Sequence, residues 1–217
     1  VIDALPTGEE VVVLANAAGV RAFSEMRDLP LEIVPGQMTA IRSNAASSAL
    51  KLPLCGEAHV LPMADNMHWL GASYDNQAVH VDIHAKNNTT NLAKLAALPV
   101  QKNWSDEVVK AWAGARVKTP DYLPLVGPVP DQQAFRMQFK GLSKDAGRLI
   151  ESPGIYHDNL YVCAGFGSRG LTSIPLAAEY LAALICNEPA VLSQSTARYL
   201  SPARFLVKAI KQGVRIK

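Results

Sequence analysis

The stretch Gly165-Phe-Gly-Ser-Arg-Gly170 lies between a short apolar run, "NLYVCA", and a long, mostly apolar one, "LTSIPLAAEYLAALIC". A strand can turn into a helix this abruptly only where residues accept unusual backbone angles, and glycine does so without a steric cost. The pattern predicts a strand, a glycine turn and a helix buried on most sides. It also predicts free N–H groups at the tip of that helix. There the summed peptide dipoles stabilise an anion, or a group that becomes negative during a reaction. A flat ligand can come close to a backbone that carries no side chain.

The same six residues fit G-x-G-x-x-G, the dinucleotide fingerprint. That fingerprint needs a second strand ending in an acidic residue about 20 positions on. Glu188 stands near that distance, but in "CNEPA", directly after the helix and with no β-branched strand to carry it. Only 29 residues follow it, most of them reading as one further helix. The second strand of the dinucleotide unit is missing, and no other such fingerprint occurs in the chain.

The first half of the chain reads as strands. "EVVVLANAAG" is a β-branched run, Val11 to Leu14, entering a tight turn. "LEIVPGQMTAIRS" is a second strand, with a bend at Pro35-Gly36. "EAHVLPMADNMHWLGASYDN" reads as a hairpin about an Ala-Asp-Asn turn, and "AVHVDIH" alternates like another strand. "TTNLAKLAALP" then predicts a helix behind a threonine cap, stopped by Pro99. "SDEVVKAWAGARV" predicts a helical start capped by Ser105, and "TPDYLPLVGPVPD" a proline-rich irregular loop. "GIYHDNLYVCAG" predicts a strand. "SPARFLVKAIKQG" predicts a last helix capped by Ser201, with Pro202 in its first turn and Gly213 past its end. The expected fold class is mixed α/β of the α+β kind, with a sheet-rich middle.

Charge is distributed unevenly. The net value is only +2, yet no acidic residue follows Glu188, while Arg198, Arg204, Lys208, Lys211, Arg215 and Lys217 do. Such a stretch is either a solvated helix face or a phosphate contact. The three cysteines, Cys55, Cys163 and Cys186, are far apart and form no C-x-x-C pair, which predicts a reduced, cytoplasmic protein without a zinc site. Two of them stand in apolar contexts and read as small core residues. His80, Asp82 and His84 fall on one face if their segment is a strand, but no further ligand accompanies them, and no metal site is expected. The opening "VIDALPTGEE" has no methionine and no signal features, so it reads like the middle of a longer protein.

Three segments together resemble the D-amino-acid oxidase family of flavoproteins. "VVVLANAAG" is similar to the strand and turn that precede its substrate domain. "WAGARVKTPDYLPLVGPVPD" is similar to its W-x-G-x-R-x-x-[ST]-x-D-x-x-P-x-[IV]-G segment, and "NLYVCAGFGSRGLTSIPLAAEYLA" to its closing strand, flavin-facing turn and helix. The "GSRGLT-x-x-PLAAE" wording, followed by "SPARFLVKAIKQG", resembles the members that act on the wobble uridine of bacterial tRNA. The resemblance implies part of an FAD-binding domain over residues 1–34, a mainly antiparallel substrate-binding sheet over 35–113, and a return to the FAD domain over 114–217. It implies FAD as cofactor, tRNA as partner, and a longer polypeptide whose N-terminal part supplies the missing Rossmann segment and a methyltransferase domain. The implied reaction removes a carboxymethyl group from the uridine's secondary amine as glyoxylate.

The resemblance also assigns residues. Arg116 would anchor the substrate carboxylate. Ala15, Asn16 and Ala17, with Gly165, Phe166, Gly167, Ser168, Arg169, Gly170, Leu171 and Thr172, would contact the flavin, the N–H groups of the last three stabilising negative charge on the ring. Arg204, Lys208 and Lys211 would contact tRNA phosphates. No catalytic acid or base is assigned. The alternatives are an oxidase of free glycine, sarcosine or a similar small amino acid, and a non-catalytic RNA-binding fragment.

Overall fold

The computed structural model describes residues 10–74, 81–99, 103–150 and 152–213. In chain order its elements are β1 (Val12–Leu14), β2 (Glu32–Arg42), β3 (Leu54–Cys55), β4 (His59–Val60), β5 (Met67–Tyr74), α1 (Ala85–Ala97), β6 (Val108–Lys118), β7 (Leu125–Pro130), α2 (Gln132–Phe139), β8 (Tyr156–Ala164), α3 (Gly170–Ile185), α4 (Gln194–Leu200) and α5 (Ala203–Lys211). The chain divides into two compact units, residues 1–32 with 117–217, and residues 33–116. The sequence placed the breaks at 34 and 113.

The first unit is built on a three-stranded sheet in the order β1-β8-β7, with β8 parallel to β1 and antiparallel to β7. Alternation along β8 sends Leu160, Val162 and Ala164 into a core with Leu14, Val20, Met26, Leu29, Leu31, Leu125 and Val129. Tyr161 and Cys163 point to the opposite face, where Val126 packs with Ala177 and Leu181 of α3. The proline-rich segment is therefore not an irregular loop throughout, because it contains β7. Pro128 and Pro130 are tolerated there since β7 is an edge strand and lacks only outward N–H groups. α3 is less enclosed than its composition predicts. It buries Ala177, Leu181 and Ala183 but leaves Leu171, Ile174, Leu176 and Leu184 exposed. Of the cysteines, Cys163 is half-buried, while Cys55 and Cys186 are exposed and all three are free.

The second unit is a five-stranded sheet in the order β3-β4-β5-β2-β6, antiparallel at β3–β4, β4–β5 and β5–β2. The Ala-Asp-Asn turn forms as expected: Asp65 and Asn66 both have positive φ and Ala64 bridges to Met67. Leu95 of α1 packs with Ile41, Val60 and Leu70, each of these strand side chains contributing about 1.5–3 kcal/mol by leaving water. Buried amides fix α1 to β2. Gln37 Nε2 and the Thr39 hydroxyl donate to Asn88 Oδ1 at 2.7 and 2.8 Å, and Asn91 Nδ2 donates to Gln37 O and Thr39 Oγ1, both at 3.0 Å.

Two helix expectations change. Residues 108–118 form β6, not a helix. Ser105 Oγ accepts the Glu107 N–H in a local turn, and the paired valines after it favour a strand. α1 starts at Ala85, ahead of the threonines, after His84 has exchanged backbone hydrogen bonds with the Gln37 side chain. The expected "AVHVDIH" strand lies partly outside the described residues, and Val81–His84 are not in a strand. α4 precedes the last helix, with Ser193 Oγ capping it through the Thr196 N–H.

Candidate functional site

β1 and β8 run side by side in parallel, with Leu14 opposite Val162. Ala15-Asn16-Ala17 and the Gly165–Thr172 turn therefore leave from neighbouring carboxyl ends. In parallel α/β sheets the crevice outside those ends is where cofactors are held. At the first turn Asn16 O accepts the Gly19 N–H at 2.9 Å, and Ala17 adopts φ 51°.

The glycine turn is fixed by backbone and by shape. Gly165 has φ 81° and Gly167 φ 56°, both in the region that glycine alone enters freely. A Cβ on Gly165 would lie 3.1 Å from both Leu31 Cδ2 and Thr119 Cγ2. The Gly167 N–H donates to Val117 O at 2.8 Å, and Phe166 bridges to Lys118, so the last residues of β6 hold the turn in place.

The tip of α3 carries Arg169 as its N-cap, with no side chain capping it. The Thr172 and Ser173 N–H groups and both their hydroxyls donate to Arg169 O. Thr172 is thereby removed from the set of free N–H donors that the sequence predicts. Among the described residues the Gly170 and Leu171 N–H groups have no backbone acceptor outside their helix, and they remain at its positive end. Two left-handed glycines, an uncapped helix tip and a second turn beside them fit the edge of a flat, electron-accepting ring such as the flavin of FAD.

Arg116 lies in the second unit, on the same face of β6 as Trp112 and Gly114. The Trp112 indole folds over Gly114, and any Cβ there would collide with it. W-x-G-x-R thus describes one strand face on which an indole covers a glycine next to a guanidinium. The Arg116 guanidinium carbon stands 5.0 Å from the centroid of the Tyr74 ring, a cation–π contact. A Cβ on Gly36 would come within 3.2 Å of Arg116 Nη1, so glycine leaves the fork room. Among the described residues no carboxylate pairs with Arg116. A planar fork with an aromatic ring beside it can take a ligand carboxylate through two parallel hydrogen bonds. Tyr74 carries no signal in a single sequence, because only strand pairing brings it to Arg116.

The basic stretch separates into two kinds of residue. Arg204 directs Nε and Nη2 at the two Asp121 carboxylate oxygens, at 2.8 and 2.9 Å, and its other N–H groups at the carbonyls of Leu123, Pro124, Leu200 and Ser201. All five of its donors are engaged, which leaves none for a phosphate, contrary to the sequence expectation. The Arg204 fork holds the Asp121 carboxyl down at about 2. Burial opposes this, while the Thr119 hydroxyl and the Leu123 N–H add to it. Lys208 and Lys211 are exposed on α5, and among the described residues neither has an acidic partner. The described residues contain no cluster of three or more metal-ligating side chains, and His80 lies outside them. No described helix is long and apolar enough to cross a membrane.

The paired strand ends, glycine turn and open helix tip suit a flavoprotein oxidoreductase. The family described as FAD dependent oxidoreductase (DAO) matches residues 2–184, and the chain belongs to it. It is 45% identical over 203 residues, 94% of its length, to the tRNA 5-methylaminomethyl-2-thiouridine biosynthesis bifunctional protein MnmC of Legionella pneumophila subsp. pneumophila. To the protein of that name from Pseudomonas syringae pv. tomato it is 37% identical over 219 residues. The chain spans 30% and 33% of those two proteins. Its fold is that of glycine oxidase from Geobacillus kaustophilus, with a TM-score of 0.63 at 20% identity, covering 89% of this chain and 45% of that one. L-proline dehydrogenase from P. horikoshii aligns with a TM-score of 0.63 at 18% identity, covering 90% of this chain and 47% of that one.

Proposed function

We propose that this chain is the C-terminal part of the FAD-dependent oxidoreductase half of a bifunctional, cytoplasmic tRNA-modifying protein. The complete protein would oxidise 5-carboxymethylaminomethyl-(2-thio)uridine at the wobble position to the aminomethyl form and glyoxylate. The observation that carries the proposal is 45% identity along nearly the whole chain to a protein named for that biosynthesis. The rest of the polypeptide would supply the Rossmann segment that binds the adenosine half of FAD, and a methyltransferase domain.

Each local structure then has a task. FAD, when bound, supplies a two-electron acceptor. Arg116 would hold the substrate carboxylate by its fork, with Tyr74 limiting the fork's motion. Gly165 and Gly167 would let the ring approach the main chain, alongside Ala15, Asn16, Ala17, Phe166, Ser168 and Arg169. The Gly170 and Leu171 N–H groups would stabilise negative charge at the ring's edge. Lys208 and Lys211 would contact tRNA phosphates, so that affinity falls as salt rises.

The test is an absorption spectrum of the complete gene product, taken without oxygen before and after adding tRNA that bears the carboxymethylaminomethyl group. Loss of the flavin band on addition is expected. A band that only free glycine or sarcosine bleaches would replace this reaction with small-amino-acid oxidation. A colourless protein would leave an RNA-binding fold without redox chemistry.

A further inference from the structure

In the first unit, α2, α4 and α5 enclose an open groove of about 580 Å3 that none of the assignments above uses. Such a volume lies within the range of small-ligand sites. Phe135 and Tyr156 meet edge to face in its wall, Phe135 stacks on Phe139, and Tyr199 of α4 stands at the rim, 66% exposed. Among the described residues no acidic side chain lines the groove. Arg198 lines it from α4, and among the described residues it has no ion-pair partner. On α5, Arg204 and Val207 line it, and Lys208 and Lys211 follow each of them by one helical turn.

We infer that this groove receives an unpaired nucleobase of RNA, stacked on Tyr199, with the neighbouring phosphates held by Arg198, Lys208 and Lys211. The inference rests on the proposed function for its choice of RNA as the partner. Two observations favour a base over an apolar peptide. An aromatic wall bordered by cations suits a flat ring with charge next to it, and a described lining without acid suits phosphate. Arg204, tied to Asp121, builds the wall and does not contact the phosphate. Ser195 and Ser201 also line the groove, the Ser201 hydroxyl being engaged by the Ala203 N–H and the Tyr156 side chain.

The test uses the complete gene product and a fluorescent anticodon stem-loop RNA with 2-aminopurine at unpaired loop positions. Tyr199→Ala and Arg198→Ala are each expected to weaken RNA binding about tenfold, the size of one lost stack or contact, and Tyr199→Phe is expected to retain it. Quenching of 2-aminopurine on binding should vanish in Tyr199→Ala. Flavin content should equal wild type in all three variants. Wild-type affinity and quenching in Tyr199→Ala and Arg198→Ala would overturn the assignment. So would a Tyr199 found shielded by another part of the polypeptide in the RNA-free protein. Flavin bleaching by tRNA separates the two proposals. Bleaching with unaltered binding in the variants removes the groove alone. Tyr199-dependent binding without bleaching removes the reaction and leaves the groove.

Discussion

Replacing Arg204 by lysine tests whether the first basic residue of α5 is architectural. The guanidinium reaches the Asp121 carboxylate through two N–H groups and four backbone carbonyls through the rest, with only 12% of its side chain exposed. A lysine offers three donors from one point and cannot span that set. The drop in the Asp121 carboxyl from 3.8 to about 2 is equivalent to about 2.4 kcal/mol. Because 37% of the aspartate side chain is exposed, screening reduces this to about 1 kcal/mol. Carbonyls left without their donor add about 1–2 kcal/mol. The total, about 2–3 kcal/mol, lowers Tm by about 5–10 °C for a chain of this size. Circular-dichroism melts of the complete gene product would measure it, with hydrogen exchange of residues 203–211 locating the loss. Asp121→Asn supplies a second arm. The folded carboxyl titrates below its unfolded value, so its stabilisation is present above about pH 4 and disappears as pH falls towards 2. The gap between wild type and Asp121→Asn, about 1 kcal/mol at pH 7, should be about half as large near pH 3. An Arg204→Lys protein that melts with wild type, or an Asp121→Asn gap that widens in acid, would refute the account.

Arg116→Lys keeps the charge but loses the fork and its stacking on Tyr74, so kcat/KM for the modified tRNA should fall about 100-fold, or about 2.7 kcal/mol; unchanged turnover would remove Arg116 as the anchor. Tyr74→Ala, which loses about 1 kcal/mol of cation–π contact, should raise KM about fivefold with little change in kcat, as steady-state kinetics would show. Gly165→Ala should cost about 2 kcal/mol in urea unfolding, because φ is 81° and two side-chain carbons stand 3.1 Å from the new methyl, whereas Gly170→Ala should cost under about 0.5 kcal/mol. Asn91→Ala removes a fully buried donor to Gln37 and Thr39 and should destabilise the second unit by about 2–3 kcal/mol, read by its urea midpoint.

Local chemistry in the sequence located what depends on neighbouring residues, and missed what depends on pairing. The strand–glycine–helix succession at 156–185 was legible because abrupt reversal demands left-handed angles, which the structure has at Gly165 and Gly167. Residues 105–118 misled because Ser105 and two acids form a helix-cap pattern, and only pairing with β2 makes the segment a strand. β7 was hidden by its prolines, whose missing N–H groups matter less on a sheet edge than in its middle. Arg204 looked like a free cation because its partner, Asp121, lies 83 positions away. The apolar character of α3 suggested enclosure, yet much of its surface is open in this chain, which spans about a third of its longer relatives.

The three glycines of the turn differ in what requires them, and that difference bears on its function. Gly165 and Gly167 are fixed by backbone angle, and Gly165 by neighbouring atoms as well. Gly170 has no such backbone angle, and the one tight neighbour of a Cβ there is the flexible end of Ile174, 3.2 Å away in its own helix. A Cβ there would meet only Phe166 and Ile174, within the turn and its own helix. In a dinucleotide fingerprint the third glycine lets the helix pack closely against a strand. Here nothing on the sheet side presses on Gly170, so the likeness to G-x-G-x-x-G does not extend to the mechanical role of its last position. Any demand for glycine at 170 must come from what approaches the helix tip, where its N–H and that of Leu171 stand open. Gly170→Leu should then leave the melting temperature within about 2 °C, since a Cβ there meets no other element. The same substitution should lower the flavin retained by the complete gene product on gel filtration. A variant that melts early but retains its flavin would show instead that Gly170 serves packing.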